Sequence, residues 1–593
     1  MSKWMFAAVA MILAASWAIA QEAPKAADPN TPSAAKAGAA VATAKAPVRL
    51  VHWMGNFAND KTLDEAIELT KRAAKAGYTG MAVIDTKIMK WSLQDKKYAE
   101  NLKKFRQACT DAKMDLYVGV ASFGYAGEML ALDANLAEGM PVRNAPFVVK
   151  DGKLVPADDL KLLNGGLETF TGDEAKSWTG STPGKVTFVD DKVKSEGKVS
   201  IRIQDPGDDK GHGRIAQQVK VRPFQYYHLS AMVKTEGFTG KDLRFGALDT
   251  AKGRWANWNP PPIKPDMDWT RIDTVFNSLD SEQMSLYIGT WGGKKGKMWI
   301  DDLKIEPAGF VNIIRRDSLP LKVTSEDGKT VYAEGKDFSK IEDPKLLKDH
   351  APGYFTVWHN GPEVTIPAGS KLKDGDKVLV SYHHIATGSK PHQINICMTE
   401  PKTYKLLEDE IKFVKDNLKP EGYFMQHDEI RHAAWDDTCT ATGKTAGGIL
   451  ADNATKCTAI IEKVDPGKVV VVWNDMFDPH HNAKKDEGGK PFIMYMVRGE
   501  GPWYGSWEGL PKQVGIINWS GGKADSFKFF ADRGHQQIVS GNNPAKIAEW
   551  LKGVGQEPGV VGIMFTNWER DYKQLEAYVE AVKKWESEAG YKK

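Results

Sequence analysis

The residue types best suited to acid–base chemistry stand together at Asp428 and Glu429, after the apolar run Gly422-Tyr-Phe-Met425 and between His427 and Arg431. Successive side chains at the end of a strand point in different directions. One carboxylate can then stay ionised while its neighbour, against apolar surroundings, keeps a proton. That division is what protonating a leaving oxygen requires. Polar and aromatic side chains recur at the ends of other apolar runs: His52 and Trp53; Asp85 and Lys87; Ser122, Phe123 and Tyr125; Trp473, Asn474, Asp475 and Asp478; Asn518 and Trp519; Ser540 and Asn542; and Asn567, Trp568 and Glu569. Rings to stack on, forked amides and acids are the groups that hold and act on a hydroxyl-rich ligand.

These positions need a scaffold that gathers strand ends in one place. Arg49–Gly55, Gly80–Asp85 and Asp115–Ser122 read as buried strands, with helical periodicity over Asp64–Ala76 and Lys97–Ala112 and Gly77 at a helix C-terminus. Strand, helix, strand at this spacing predicts parallel βαβ units. The rhythm stops at about residue 151 and resumes at about 391. Thr403–Leu418 and Asp571–Glu586 read as helices, and Gly422–Glu429, Lys468–Asp475, Val514–Trp519, Gln537–Ser540 and Val560–Asn567 as strands. Three strands before the gap and five after it make the eight of a (β/α)8, or TIM, barrel, whose sites lie at the carboxyl ends of its strands. Within the gap, short strands such as Lys198–Ile203, Tyr226–Val233, Gln283–Gly289 and Lys297–Ile305 predict an all-β jelly-roll sandwich over 151–309. A further β-rich segment covers 310–390; its strand Lys377–His384 is assigned to the insertion, with a place beside the third barrel strand as the alternative. The expected barrel is thus an α/β fold in two parts, 48–150 and 391–593.

Composition narrows the classes. The 593 residues include 80 Lys and Arg against 77 Asp and Glu, which excludes a chain-wide basic field for nucleic acid. Trp is abundant, with 19 residues, as large cores or flat aromatic platforms require. Residues 1–20 have the pattern of a secretory signal peptide: Lys3, the apolar run Met5–Ile19 and the small-x-small sequence Ala18-Ile19-Ala20. Residues 21–47, rich in Ala, Pro and Lys, read as a disordered linker. The expected location is secreted or periplasmic, with no stable membrane span once the signal is cleaved. The four cysteines, Cys109, Cys397, Cys439 and Cys457, make no disulfide scaffold. Cys439 and Cys457 flank a Gly/Thr-rich loop and are a candidate pair; Cys109 and Cys397 read as buried and inert.

The segment Gln426-His-Asp-Glu429 at the end of strand four resembles the Asp-Glu signature of family 20 glycoside hydrolases, the β-N-acetylhexosaminidases. Trp473, Trp519 and Trp568 resemble the aromatic box that this family builds around a terminal sugar. The resemblance implies substrate-assisted cleavage of a glycosidic bond. Glu429 would be the general acid/base, and Asp428 would orient the substrate's own acetamido group. It covers the barrel alone, about Val48–Tyr125 and Thr403–Lys592. Gln426-His427 stands where the family has Gly-Gly, and the large insertion is foreign to its usual plan, so the relation is that of a clan. A rival plan with a nucleophile at strand seven finds no carboxylate in Gln536–Asn543. Without an acetamido group, Glu429 would pair with Asp475 or Glu569 across the barrel mouth. His427, Arg431, Trp473, Asp475, Trp519, Trp568, Glu569, His52 and Trp53 are the candidate substrate-binding residues.

The spacing of His427, Glu429 and His432 is not His-Glu-x-x-His, so no metal is expected there and no cofactor is required. The loop Asp475–Asn482, the pair His383 and His384, and the aromatic loop Trp503–Glu508 are further candidates for substrate contact, each with a packing role as its alternative. The inserted sandwich resembles jelly-roll carbohydrate-binding modules in Tyr226–Glu236, Asp268-Trp-Thr270 and Trp299–Ile305. Trp255, Trp258 and Trp291 are its candidate sugar contacts, and Asp301 and Asp302 candidate ligands of a structural calcium. The expected partner is a poly- or oligosaccharide. The alternative from another class is a non-catalytic carbohydrate-binding surface protein on a barrel scaffold, and a third is another hydrolase or a lyase on the same barrel.

Overall fold

The computed structural model describes residues 47–157, 160–207, 211–257, 259–485, 495–499, 501 and 503–588. The expected signal peptide, nearly all of the linker and Trp258 lie outside the described residues. Eight strands, Val48–Met54, Gly80–Ile84, Asp115–Val120, Gly422–Met425, Val469–Trp473, Gly515–Asn518, Gln537–Gly541 and Val560–Phe565, pair in parallel in chain order. The eighth then pairs with the first, Phe565 opposite Val51, and closes a barrel. Both faces of each strand are covered, as runs such as Val469-Val-Val-Val-Trp473 require. Leu50, Ile84, Tyr117, Phe424, Val471, Trp473, Ile517, Ile538 and Met564 fill the interior. The alternate residues, among them Val51, Trp53, Val83, Val118, Val472 and Ile516, face a second core between barrel and helices.

Helices run between the strands. Asp60–Ala76 starts where the Asn59 side chain accepts from Thr62 N–H and stops at Gly77, whose φ of 103° suits a residue without Cβ. Lys96–Asp111, Pro401–Leu418, Ala446–Val464, Ala524–Asp532, Pro544–Val554 and Leu575–Glu588 follow in order. Between strands five and six the described residues hold no α-helix, but short 3-10 turns, the longer being Ser506–Gly509, and the two-residue strand Met496–Val497. That turn packs on helix Ala446–Val464, and Trp507 meets Phe529 of helix Ala524–Asp532 with ring centroids 5.2 Å apart. Trp503 is wholly buried and Trp507 nearly so, so these two rings of the 503–508 loop are core; Tyr504 is exposed.

Between strands three and four the chain builds the insertion. Two five-stranded antiparallel sheets face each other, with Ile201, Ile203, Leu229, Phe245, Phe276, Ile288 and Ile300 among the residues buried between them. A six-stranded sheet joins this sandwich to the barrel. There Lys377–Ile385 pairs antiparallel with both Lys322–Ser325 and Gly139–Lys150. The strand ending near His384 therefore lies in the insertion. So does Gly139–Lys150, which the sequence pattern leaves with the barrel. No helix among the described residues is long and apolar enough to cross a membrane.

Candidate functional site

Strand four ends at Met425, and the next four residues turn across the barrel mouth. Glu429 takes the left-handed conformation, φ +48°, uncommon for a residue with a Cβ and a mark of over-determined local structure. Two neighbours impose it. The Glu429 N–H donates to Asp475 Oδ2 at 3.2 Å. Gly124, after strand three, lies so close that a Cβ there would stand 2.3 Å from the Asp428 carbonyl oxygen. The Glu429 carboxylate is then held from both sides: the Tyr125 hydroxyl donates to Oε2, and Arg431 Nη2 stands 2.9 Å from Oε1. The Arg431 guanidinium lies 5.3 Å from the centre of the Tyr495 ring.

Asp428, Glu429 and Asp475 form one carboxylate cluster. Burial, and then the charge of Glu429, push Asp428 up to about 7. Burial, and then the charge of Asp428, push Asp475 up to about 8. Asp475 is fully buried, and its Oδ2 accepts from Asn482 Nδ2 as well as from Glu429 N–H. Among the described residues, its Oδ1 has no hydrogen-bond partner. Glu429 keeps 30 % of its side chain exposed, so the cluster is sheltered yet reachable.

Aromatic rings gather at the ends of strands one, five and eight. The exposed Trp568 ring meets His52 at 4.6 Å and Trp473 at 5.8 Å. Trp473 Nε1–H donates to Gln426 Oε1 at 3.3 Å. His52 Nδ1 pairs with the Asn567 carbonyl at 3.2 Å, and burial lowers its pKa to about 4, so the ring is neutral. Trp519, also exposed, meets His481 edge-on at 4.5 Å, next to the Asn482 that holds Asp475. Contacts thus run from Glu429 through Asp475 and the 478–482 loop to Trp519. Beyond Trp568, a cleft of about 500 Å³ opens at the ends of strands seven and eight, lined by Asn542, Asn567, Asp571 and Gln574 among others.

Several candidates lie elsewhere. Trp53 stacks on Phe57 at 4.6 Å in the outer core: with Leu50 inside the barrel, the alternation that points His52 to the mouth points Trp53 away from it. His427 is fully buried, and its Nε2 bonds to Asn453 Oδ1 at 2.8 Å, so it supports the turn and does not line the cleft. Glu569 is exposed and, among the described contacts, makes none with the three carboxylates. His384 stacks on Tyr226 at 3.6 Å in the insertion, and His383 faces Asp437 at 3.6 Å; neither is at the mouth. Tyr125, expected at the end of strand three, and Asn482, in the expected 475–482 loop, join the site, as do Gly124 and Tyr495, which were not singled out.

On the sandwich, Trp255, Tyr287 and Trp291 form a trio with centroids 5.5 to 5.9 Å apart, and Arg214 lies 4.6 Å from the Trp291 ring. Trp255 is largely covered; Trp291 and Tyr287 are half-buried. A groove of about 420 Å³ runs past Tyr287, Arg214, Gln218 and Ser285. Asp301 is buried, and its oxygens accept from the N–H groups of Ser195, Glu196 and Asp302, while Asp302 pairs with Lys304. Both Asp301 oxygens thus already meet backbone donors, and Asp302 Oδ2 meets Lys304, so neither carboxylate is presented bare to a calcium ion.

No protein-family model matches the chain, and no curated protein matches it. Among solved structures it is similar to TmCBM61 in complex with beta-1,4-galactotriose, at 17% identity, 25% of this chain, 97% of that one and a TM-score of 0.19. It is similar to the CBM22-1 xylan-binding domain of Xyn10C from Paenibacillus barcinonensis, at 15% identity, 25% and 92% coverage and a TM-score of 0.20. It is also similar to Dispersin B, at 13% identity, 32% and 60% coverage and a TM-score of 0.20.

Proposed function

We propose that the chain is an exported glycoside hydrolase whose active site is the carboxylate cluster at the mouth of a (β/α)8 barrel. One observation carries the reading: Asp428, Glu429 and Asp475 share one sheltered place, and two of them are pushed to about 7 and about 8. Such a cluster holds a proton near neutral pH beside a further carboxylate, the pairing that glycosidic cleavage needs. In this reading Glu429 is the general acid/base, oriented by Tyr125 and Arg431 at the exposed edge of the cluster. Asp428 positions the substrate, through an acetamido group where the sugar carries one. Asp475 holds the turn by accepting the Glu429 N–H. Trp568 and Trp519 offer exposed faces for sugar rings, and His52, fully buried, packs behind Trp568. The chemistry needs no cofactor. The sandwich would hold the glycan at Trp291, Tyr287 and Arg214, and a structural calcium there would draw on Asp301 and Asp302 in place of their present partners.

A non-catalytic glycan-binding protein is the second reading. It is favoured by the commitment of both Glu429 oxygens to Tyr125 and Arg431. The deciding experiment is hydrolysis of aryl N-acetylhexosaminides, other aryl glycosides and native polysaccharides by wild type and Glu429→Gln. Cleavage lost in the variant supports the hydrolase and names its sugar. Equal cleavage by both sinks the assigned site, and glycan binding without cleavage selects the second reading.

A further inference from the structure

A second cluster of reactive side chains lies behind the strand-four turn. Glu138, Cys397, Asp436 and Cys439 are all buried, and one ligand atom of each lies within 4.8 Å of the others. The four cysteines are free. Cys457, the partner that spacing suggests for Cys439, sits on helix Ala446–Val464 with its thiol directed at Asn453. The neighbour of Cys439 is instead Cys397, with the sulfurs 3.9 Å apart.

We propose that these four residues form a structural site for a divalent metal ion, with zinc the best match. The sulfur spacing is the first argument. Two thiolates about 2.3 Å from a tetrahedral zinc stand about 3.8 Å apart, whereas a disulfide holds them at about 2.05 Å. The second is charge. Four groups able to become anionic share a dry site with one guanidinium, that of Arg316, at 2.7 Å from Asp436 Oδ2. A buried cluster of this kind needs either bound protons or a further cation. The third is the donor set, since two thiolates with two carboxylates suit a borderline ion better than calcium or magnesium. The fourth is the surrounding shell. Asp436 Oδ1 accepts from Thr438 Oγ1 and Cys439 N–H, Glu138 Oε1 accepts from Trp435 N–H at 2.9 Å, and the Thr399 hydroxyl lies 3.2 and 3.3 Å from the two sulfurs. Ligand atoms are thus oriented by neighbours, as metal ligands are. Glu138 Oε2 faces the Cys439 thiol at 3.5 Å, a weak partner that a metal would replace. Binding would release the protons of the thiols and of any protonated carboxyl, with no change of oxidation state.

The site would join three segments that are distant in sequence. Glu138 precedes the first strand of the six-stranded sheet, Cys397 lies just before helix Pro401–Leu418, and Asp436 and Cys439 follow the turn that carries Glu429. It would pin both ends of the insertion to the barrel mouth, whatever reaction that mouth performs.

The test is metal analysis of the full-length protein, cobalt spectroscopy after metal exchange, and thiol counting in denaturant with and without reductant. The expected result is about one equivalent of zinc per chain and thiolate-to-cobalt charge-transfer absorption with tetrahedral visible bands. Cys439→Ser should weaken binding by more than the roughly 10–100-fold that an outer-shell change brings, and Cys109→Ala should keep the metal. The cobalt spectrum of the wild type decides the matter even where Cys439→Ser does not fold. Protein that neither carries nor takes up zinc or cobalt overturns the proposal. So do two thiols that become titratable only after reduction, since they would mean a Cys397–Cys439 disulfide.

Discussion

Asp85 and Asp475 hold the same station on the barrel, one residue past the second strand and two past the fifth, and both are buried. They differ in what meets their oxygens. Asp85 accepts from Phe57 N–H, Lys87 N–H and the Tyr98 hydroxyl, and opens the turn that follows as its N-cap. Burial raises it to about 6, with those three donors pulling the other way. Asp475 has donors on Oδ2 alone, leaves Oδ1 bare and faces two further carboxylates. A buried acid whose hydrogen bonds are complete belongs to the scaffold, and one left incomplete among like charges is the place to look for chemistry.

The change at the barrel mouth should have the greatest effect. Glu429→Gln should lower glycosidase kcat/KM by about 10²–10⁴-fold, as loss of a general acid does, while the urea midpoint stays close to wild type. Next, Asp85→Ala should destabilise the fold by about 2–3 kcal/mol, through a lost cap and unmet donors. Activity per folded molecule should change little, which a denaturant titration alongside kinetics would check. Asp475→Asn sharpens the contrast through pH. The folded chain keeps on Asp475 a proton that the unfolded chain releases near 3.8, so this stabilisation is full below that pH and is lost as pH rises through about 8. The variant should flatten the decline of stability across that window, measured as Tm against pH, whereas Asp85 acts in the same direction only up to about 6. The smallest effect is that of Trp568→Ala. It should raise KM severalfold, about 1 kcal/mol of ring contact, and leave kcat in place, as steady-state kinetics on a soluble oligosaccharide would show.

The barrel strands were legible because each is an apolar run stopped by polar residues, and eight such runs met the number a closed parallel barrel needs. Three helices were not. In Ala446–Val464, Gly447, Gly448, Thr455 and Thr458 blur the apolar period, and Ala524–Asp532 and Pro544–Val554 are short. At the mouth, sequence set Asp428, Glu429 and Asp475 on neighbouring strand ends. It did not reveal that Asp475 accepts the Glu429 N–H, or that Tyr125 and Arg431 hold Glu429, because side-chain direction past a strand end depends on loop conformation. Trp53 was misassigned although strand parity already separated it from His52. The metal cluster stayed hidden because its four ligands come from three segments with no local spacing signature.

The insertion also governs how the molecule can assemble. The third and fourth barrel strands are partners, with Tyr117 opposite Gly422, yet about 300 residues of chain separate them. Their meeting is among the slowest kinds of step in folding, since loop closure grows costlier with length and non-local pairing slows folding. As the chain is made, strands one to three emerge as an open parallel ribbon with an unpaired edge, the kind of surface that seeks partners in other chains. Sandwich and six-stranded sheet can form while that edge waits. The inserted block, by folding first, would shorten the effective loop and bring the two barrel fragments together.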